Sequence, residues 1–162
     1  MAVSRPLYCW DAGVFIAWFG AEADKPLDDI SLVVAEIDRN AADLLVPVTA
    51  YAEILDTPAW PNRAEQFRKF VRRSNVVIAD TTQAIAEKAG EIRSRGAVAQ
   101  PKRSIKTPDA LFLATAVIYK ATVFHTTELT KLPNLSGSDI VEGLRIEAPK
   151  PHTGQQSFLN PG

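Results

Sequence analysis

The 162-residue chain has one cysteine, two histidines and no long apolar run. A single cysteine, Cys9, excludes an internal disulfide framework and any cysteine-rich zinc centre. His125 and His152 cannot by themselves make a histidine-rich metal site. No stretch reaches the ~18 apolar residues a membrane span needs. Met1 to Pro6 is short and polar, and the apolar stretch that follows soon meets Asp11. No signal peptide is therefore expected, and the chain reads as cytoplasmic. Charge of one sign is missing too: 18 Lys and Arg face 19 Asp and Glu, a net charge of −1. Uniform attraction to a nucleic acid or a membrane is excluded on that balance.

What is present suits one soluble domain. The chain is 46% hydrophobic, enough for a sizeable core at this length. Short apolar runs alternate with helical patterns. Leu7 to Trp10 reads as a strand buried on both faces. Val14 to Phe19 reads as a short helix, and Asp28 to Asn40 carries apolar residues at helical spacing. Leu44 to Val48 is a second strand, and Thr49 to Leu55 a short helix capped by Thr49. Asn62 to Arg73 is helical. Asn75 to Ile78 is a third strand.

The next helix has Asp80 and Gln83 as a capping box and ends near Gly96. Residues 97–106 form a loop. A helix then starts with Thr107 as cap and Pro108 at its first position. Thr122 to His125 and Leu144 to Ile146 complete five strands. The repeated strand–helix–strand order predicts an α/β fold, three layers with a mainly parallel central sheet. The domain is expected over 1–149, with an extended or disordered tail over 150–162.

Ligands of an open parallel sheet bind beyond the carboxyl ends of its strands. Asp11 follows the first strand directly. Glu53 lies a helical turn after Thr49, and Glu128 lies three residues past His125. Asp109 opens its helix, and the loop before it can return to the same edge. Each acid also has a bland role. Asp11 caps a helix, Asp109 complements a helix dipole, and Glu53 and Glu128 face solvent.

The surrounding residues add a resemblance. Tyr8-Cys9-Trp10-Asp11-Ala12-Gly13-Val14-Phe15-Ile16 resembles the first motif of PIN-domain nucleases, an apolar strand ending in Asp before a helix. Tyr51-Ala52-Glu53-Ile54-Leu55 resembles the second. The run from Lys106 through Asp109-Ala110-Leu111-Phe112 to Ala114-Thr115-Ala116 resembles the third and is the most specific. Thr126-Thr127-Glu128 resembles the fourth. The resemblance spans roughly residues 6–149, and within the family the chain resembles the VapC-type toxins of toxin–antitoxin pairs.

The resemblance implies a nuclease cleaving RNA, an antitoxin partner and a homodimer. Three positions depart from the pattern. Ala12-Gly13 replaces hydroxyl or amide residues, Lys131 stands where many members carry Asp, and Glu128 is longer than the usual Asp or Asn. These departures support an alternative, a catalytically weakened RNA- or protein-binding module.

Clustered carboxylates without His or Cys are hard oxygen ligands, suited to Mg²⁺ or Mn²⁺. Asp11 and Asp109 are expected as direct ligands, Glu53 as ligand or water orienter, and Glu128 as an outer or second-metal ligand. Thr107 and Thr126 are candidate hydroxyl supports near the substrate.

The balanced charge is unevenly spread. Residues 61–106 hold 11 basic and 4 acidic residues, whereas the rest holds 7 and 15. Lys102, Arg103 and Lys106 lead into Asp109 and are expected to hold phosphates. Arg68, Lys69, Arg72 and Arg73 read as a solvated helix face or an antitoxin contact. Trp18, Phe19, Phe67 and Phe70 read as core or subunit interface, and Trp60 as a candidate interface anchor. Cys9 reads as inert packing. His125, with no obvious partner, is not expected to act as a base.

Overall fold

A computed structural model describes residues 4–56 and 61–152. Trp60 and the tail beyond His152 lie outside the described residues. Among the described residues five strands form one parallel sheet: β1 (Leu7–Trp10), β2 (Asp43–Pro47), β3 (Val76–Ala79), β4 (Val123–His125) and β5 (Ile146–Glu147). Their order is β3-β2-β1-β4-β5. Cys9 is the pivot of the register, opposite Leu45 on one side and Phe124 on the other.

Among the described residues six α-helices cover the sheet: α1 (Ala12–Gly20), α2 (Leu27–Asp38), α3 (Ala50–Leu55), α4 (Pro61–Phe70), α5 (Gln83–Val98) and α6 (Thr107–Ile118). The chain steps from β1 through β2 to the β3 edge, then returns across β1 to β4. Parallel crossovers are right-handed, so reversing direction moves their helices to the other face. Accordingly α1 packs with α2, α3 and α4, while α5 pairs with α6. The expected three layers follow. Among the described residues, no helix is long and apolar enough to cross a membrane.

Two core features set the site's walls. An aromatic cluster fastens α1, α3 and α4 to β1. Trp10 lies 5.0 Å from Phe15, Phe15 lies 5.3 Å from Phe67, and Phe67 meets Tyr51 of α3 at 4.8 Å. Phe67 and Phe70 are core, as expected, with Trp18 and Phe19 packed against it. The second feature is the approach of residues 99–106 to α5. The Arg103 amide donates to the Gly96 carbonyl at 2.8 Å. A Cβ on Gly96 would stand 2.5 Å from the Arg103 carbonyl oxygen, so only glycine admits this contact. Arg93 Nε donates to the Ile105 carbonyl at 3.1 Å and ties the same segment again.

Several local expectations shift. The cap of α5 is Thr82, whose hydroxyl accepts from the Ile85 amide, rather than Asp80. Gly96 lies inside α5, which continues to Val98. Lys106, not Thr107, precedes α6, and Thr107 is its first residue. Thr49 precedes α3 without a side-chain cap bond, because its backbone is already helical there. β5 starts two residues later than expected. In each case several polar residues stand near a boundary, and tertiary packing selects among them.

Candidate active site

The winding of the chain across the sheet reverses between β1 and β4, and a crevice opens there beyond the strand ends. Asp11 stands at the end of β1. Its amide donates to the His125 carbonyl at 3.2 Å, which continues the β1–β4 ladder by one bond. Its carboxylate is divided between two tasks. Oδ1 accepts from the Val14 amide at 3.1 Å and caps α1. Oδ2 accepts from the Thr126 hydroxyl at 2.5 Å. The capping role and the site role therefore belong to the same side chain.

Burial pushes the Asp11 carboxyl up to about 6, against the pull of the Thr126 and Val14 hydrogen bonds; Asp109 and Glu53 add repulsion. Asp109 sits in the first turn of α6, half-buried. Its carboxyl is also raised, by burial first; Glu128 pushes it up, while Lys106 and Lys131 pull it down. Glu53, on α3, is raised by partial burial and by Asp109. Three acids from three separate elements thus share one electrostatic field.

A cleft of about 480 Å³ opens beside them. Asp11, Asp109 and Glu128 line it, as do Lys102, Arg103 and Lys106. Lys131 completes the basic wall, a residue the sequence did not assign to the site. Neither Glu53 nor Thr107 is part of the lining. Thr126 is wholly buried and acts on Asp11 rather than on the cleft's contents. The Arg68 to Arg73 basic group is also elsewhere, with Arg72 and Arg73 past the end of α4, which stops at Phe70 rather than Arg73. Arg73 pairs with Asp38 at 2.7 Å and lies over the Phe70 ring.

Glu128 is engaged within its own loop. Oε1 accepts from the hydroxyl of Thr130 and from its amide, the latter at 2.7 Å. The Lys131 amide donates to both oxygens at 2.9 Å, and the Leu132 amide to Oε2 at 2.7 Å. Burial alone would raise this carboxyl, but the four donors hold it down to about 2.

Gly13 also makes room in the site. A Cβ there would lie 2.7 Å from the Thr127 hydroxyl and 3.2 Å from Asp11 Oδ1. The small residues after Asp11 thus allow the β4 loop to close over the first turn of α1. His125 does have a partner: Trp10 Nε1–H donates to its Nδ1 at 3.2 Å, and Tyr8 stacks on its ring. Burial lowers its pKa to about 3, so the ring is neutral and structural. Two signals for this pairing, an indole and an imidazole on adjacent strands, were present in the sequence, but their register was not.

Among the described residues, no three His, Cys, Asp or Glu side chains are grouped tightly enough to hold a metal ion. The acids repel one another across the crevice without forming a closed cage.

No curated protein matches the chain. Solved structures do. A chain of VapBC2 from Rickettsia felis, bound to a DNA fragment from their promoter, aligns with a TM-score of 0.62 at 16% identity, covering 88% of this chain and 98% of that one. A toxin–antitoxin complex from Klebsiella pneumoniae aligns with a TM-score of 0.59 at 16% identity, covering 85% and 99%. FitAcB from Neisseria gonorrhoeae aligns with a TM-score of 0.58 at 13% identity, covering 88% and 97%. At such identities the likeness is one of fold. The PIN domain model matches residues 8–129, a span running from the strand before Asp11 through Glu128. With that match over most of its length, the chain belongs to the PIN domain family, whose members are generally nucleases.

Proposed function

We propose that the protein is a divalent-metal-dependent endoribonuclease and the toxin of a toxin–antitoxin pair. One observation carries this reading. Asp11 and Asp109, both raised first by burial, line one cleft with Lys102, Arg103 and Lys106, and the Asp109 charge adds to the rise at Asp11. Carboxylates raised chiefly by burial, with like charge nearby, favour a cation beside them. Nearby lysine and arginine favour the phosphates of a polynucleotide.

The donor chemistry fits Mg²⁺ or Mn²⁺. Asp11 and Asp109 would hold the ion, with Glu53 as a further ligand or water orienter. Mg²⁺ keeps several waters and needs only one or two carboxylates, which suits acids that form no closed cage. When bound, such an ion stabilises charge on a phosphodiester and acidifies an attacking water.

The chain's own residues do the remaining work. Thr126 and the Val14 amide orient the Asp11 carboxylate. The N-terminal end of α6 stabilises Asp109 as an anion. Lys102, Arg103 and Lys106 grip phosphates flanking the cleaved bond. Glu53, exposed on α3 and with its carboxyl raised by desolvation and by Asp109, suits orienting a water or accepting its proton.

The proposed partners are an RNA substrate, a small antitoxin and a second copy of the chain. The antitoxin is supported by the Klebsiella pneumoniae neighbour, itself a toxin–antitoxin complex. The test is cleavage of defined tRNA and mRNA with Mg²⁺ or Mn²⁺, repeated in excess EDTA. Full cleavage in EDTA would sink the mechanism.

A second reading is a binding module with weakened catalysis. It is favoured by Glu128, whose oxygens are already committed to its loop. Calorimetric titration with Mn²⁺ separates the two, since no binding at millimolar metal favours the module.

A further inference from the structure

Glu128 lines the cleft, but its charge is spent on the turn that follows it. Three successive amides, of Thr130, Lys131 and Leu132, converge on its two oxygens. Such converging N–H groups form an anion-binding concavity, and here the anion is the chain's own side chain. The turn is linked back to Asp11 through one residue. Thr126 Oγ1 accepts from the Glu128 amide at 3.0 Å while its hydroxyl donates to Asp11 Oδ2. Asn134 Nδ2 braces the far side by donating to the Thr130 carbonyl at 2.6 Å.

The product of this bracing is the placement of Lys131. Its side chain is exposed, lines the cleft and acts electrostatically on Asp109. It forms no ion pair among the described residues. The other charged groups around the same cleft are Asp11, Asp109, Glu128, Lys102, Arg103 and Lys106. An uncommitted ammonium on a braced turn, beside an acid, suits a mobile anion brought by the substrate.

We propose that Lys131 is a phosphate-binding residue of the cleft and that Glu128 is the positioning residue that holds it there, rather than a metal ligand. The inference rests on the nuclease reading for the identity of the anion, a phosphodiester of single-stranded RNA. Glu128 acts through the backbone of residues 130–132, so its loss releases Lys131 and leaves Asp11 and Asp109 in place.

The experiment uses the full chain and a short fluorescein-labelled single-stranded RNA of mixed sequence, in EDTA. Lys131→Ala is expected to weaken binding roughly 3- to 10-fold and to reduce the slope of log affinity against log salt by about 0.7, the loss of one phosphate contact. Glu128→Ala, checked for folding by circular dichroism, is expected to match it. Adding Glu128→Ala to Lys131→Ala is expected to cost nothing more, a non-additivity that a merely structural role would not produce. Mn²⁺ affinity, measured by calorimetry, is expected to stay within about twofold of wild type in Glu128→Ala, because the two acids that hold the ion are untouched.

Loss of Mn²⁺ binding in Glu128→Ala would overturn the proposal, as would additive costs or an unchanged RNA affinity in Lys131→Ala. Should wild type fail to bind RNA at any salt concentration, both this inference and the nuclease reading fall. If wild type binds and cleaves RNA but the variants behave otherwise than stated, only the inference falls.

Discussion

The Thr126 hydroxyl donates to Asp11 Oδ2 at 2.5 Å while the Val14 amide occupies Oδ1. One carboxylate is thus aimed from two sides, by the residue just past the neighbouring strand β4 and by the helix that follows it in sequence. Thr126→Val removes the first of these bonds at nearly constant volume. Groups that orient a metal ligand typically matter about 10- to 100-fold in metal affinity or activity. A loss of that size in Mn²⁺ affinity is expected for Thr126→Val, read by calorimetry, with near-native circular dichroism.

Asp11→Asn and Asp109→Asn are each expected to abolish RNA cleavage while the fold survives. Asn keeps an acceptor for the Val14 amide, so the cap on α1 remains. Gel assays with and without Mg²⁺ measure the activity, and thermal melts measure the fold. Cleavage by either variant would remove that residue from the catalytic set.

Asp11→Asn should also stabilise the metal-free protein at neutral pH. The Asp11 carboxyl titrates near 6 when folded, above its ordinary 3.8. A raised acid holds its proton more tightly in the folded state, so ionising it at pH 7 costs stability. The cost is absent below pH ~4, grows through the window up to ~6 and is complete above it, at about 1–3 kcal/mol for a shift of this order. The melting advantage of Asp11→Asn is therefore expected at pH 7.5 and not at pH ~4. Urea melts at both pH values check it.

The same carboxyl makes metal binding sensitive to pH. A ligand must lose its proton to bind, so apparent Mn²⁺ affinity is expected to fall roughly tenfold for each pH unit below 6. Calorimetry in two buffers of different ionisation enthalpy reports the released proton. An affinity flat from pH 7.5 to 5 would contradict Asp11 as a ligand.

Gly96→Ala tests the link between α5 and the basic wall. Alanine suits a helix better than glycine by about 1 kcal/mol. Here its Cβ would meet the Arg103 carbonyl at 2.5 Å, and a backbone atom must move. Overpacking of this kind costs about 1–3 kcal/mol, so a net loss of stability is expected. RNA affinity in EDTA should fall as well, because Lys102 and Arg103 move with the segment. Arg72→Ala, on the exposed basic group remote from the cleft, is expected to leave affinity unchanged.

Much of the fold was legible because buried parallel strands are short apolar runs. Leu7–Trp10 was read residue for residue, and Asp11 and Asp109 were identified by their places at the ends of elements. Glu128 was legible as a residue near the site but not in its allegiance. Its amide donors are Thr130, Lys131 and Leu132, and whether a loop folds back on its own acid depends on local bracing by Asn134 and on Thr126, which a long-range bond to Asp11 anchors. His125 was read as partnerless, since its indole partner lies on a different strand.

The sequence by itself determined the alternation of strands and helices, the acid that ends β1 and the basic run that enters α6. These are local patterns, written in neighbouring residues. Only the tertiary structure decided which charges meet. The β3-β2-β1-β4-β5 order brings Asp11, Asp109 and the residues from Lys102 to Lys106 to one crevice, and leaves the α4 arginines outside it. It also turned Lys131 from a missing acid into a cleft wall. Coulomb energy depends on distance in space, and a crossover connection sets that distance independently of separation along the chain.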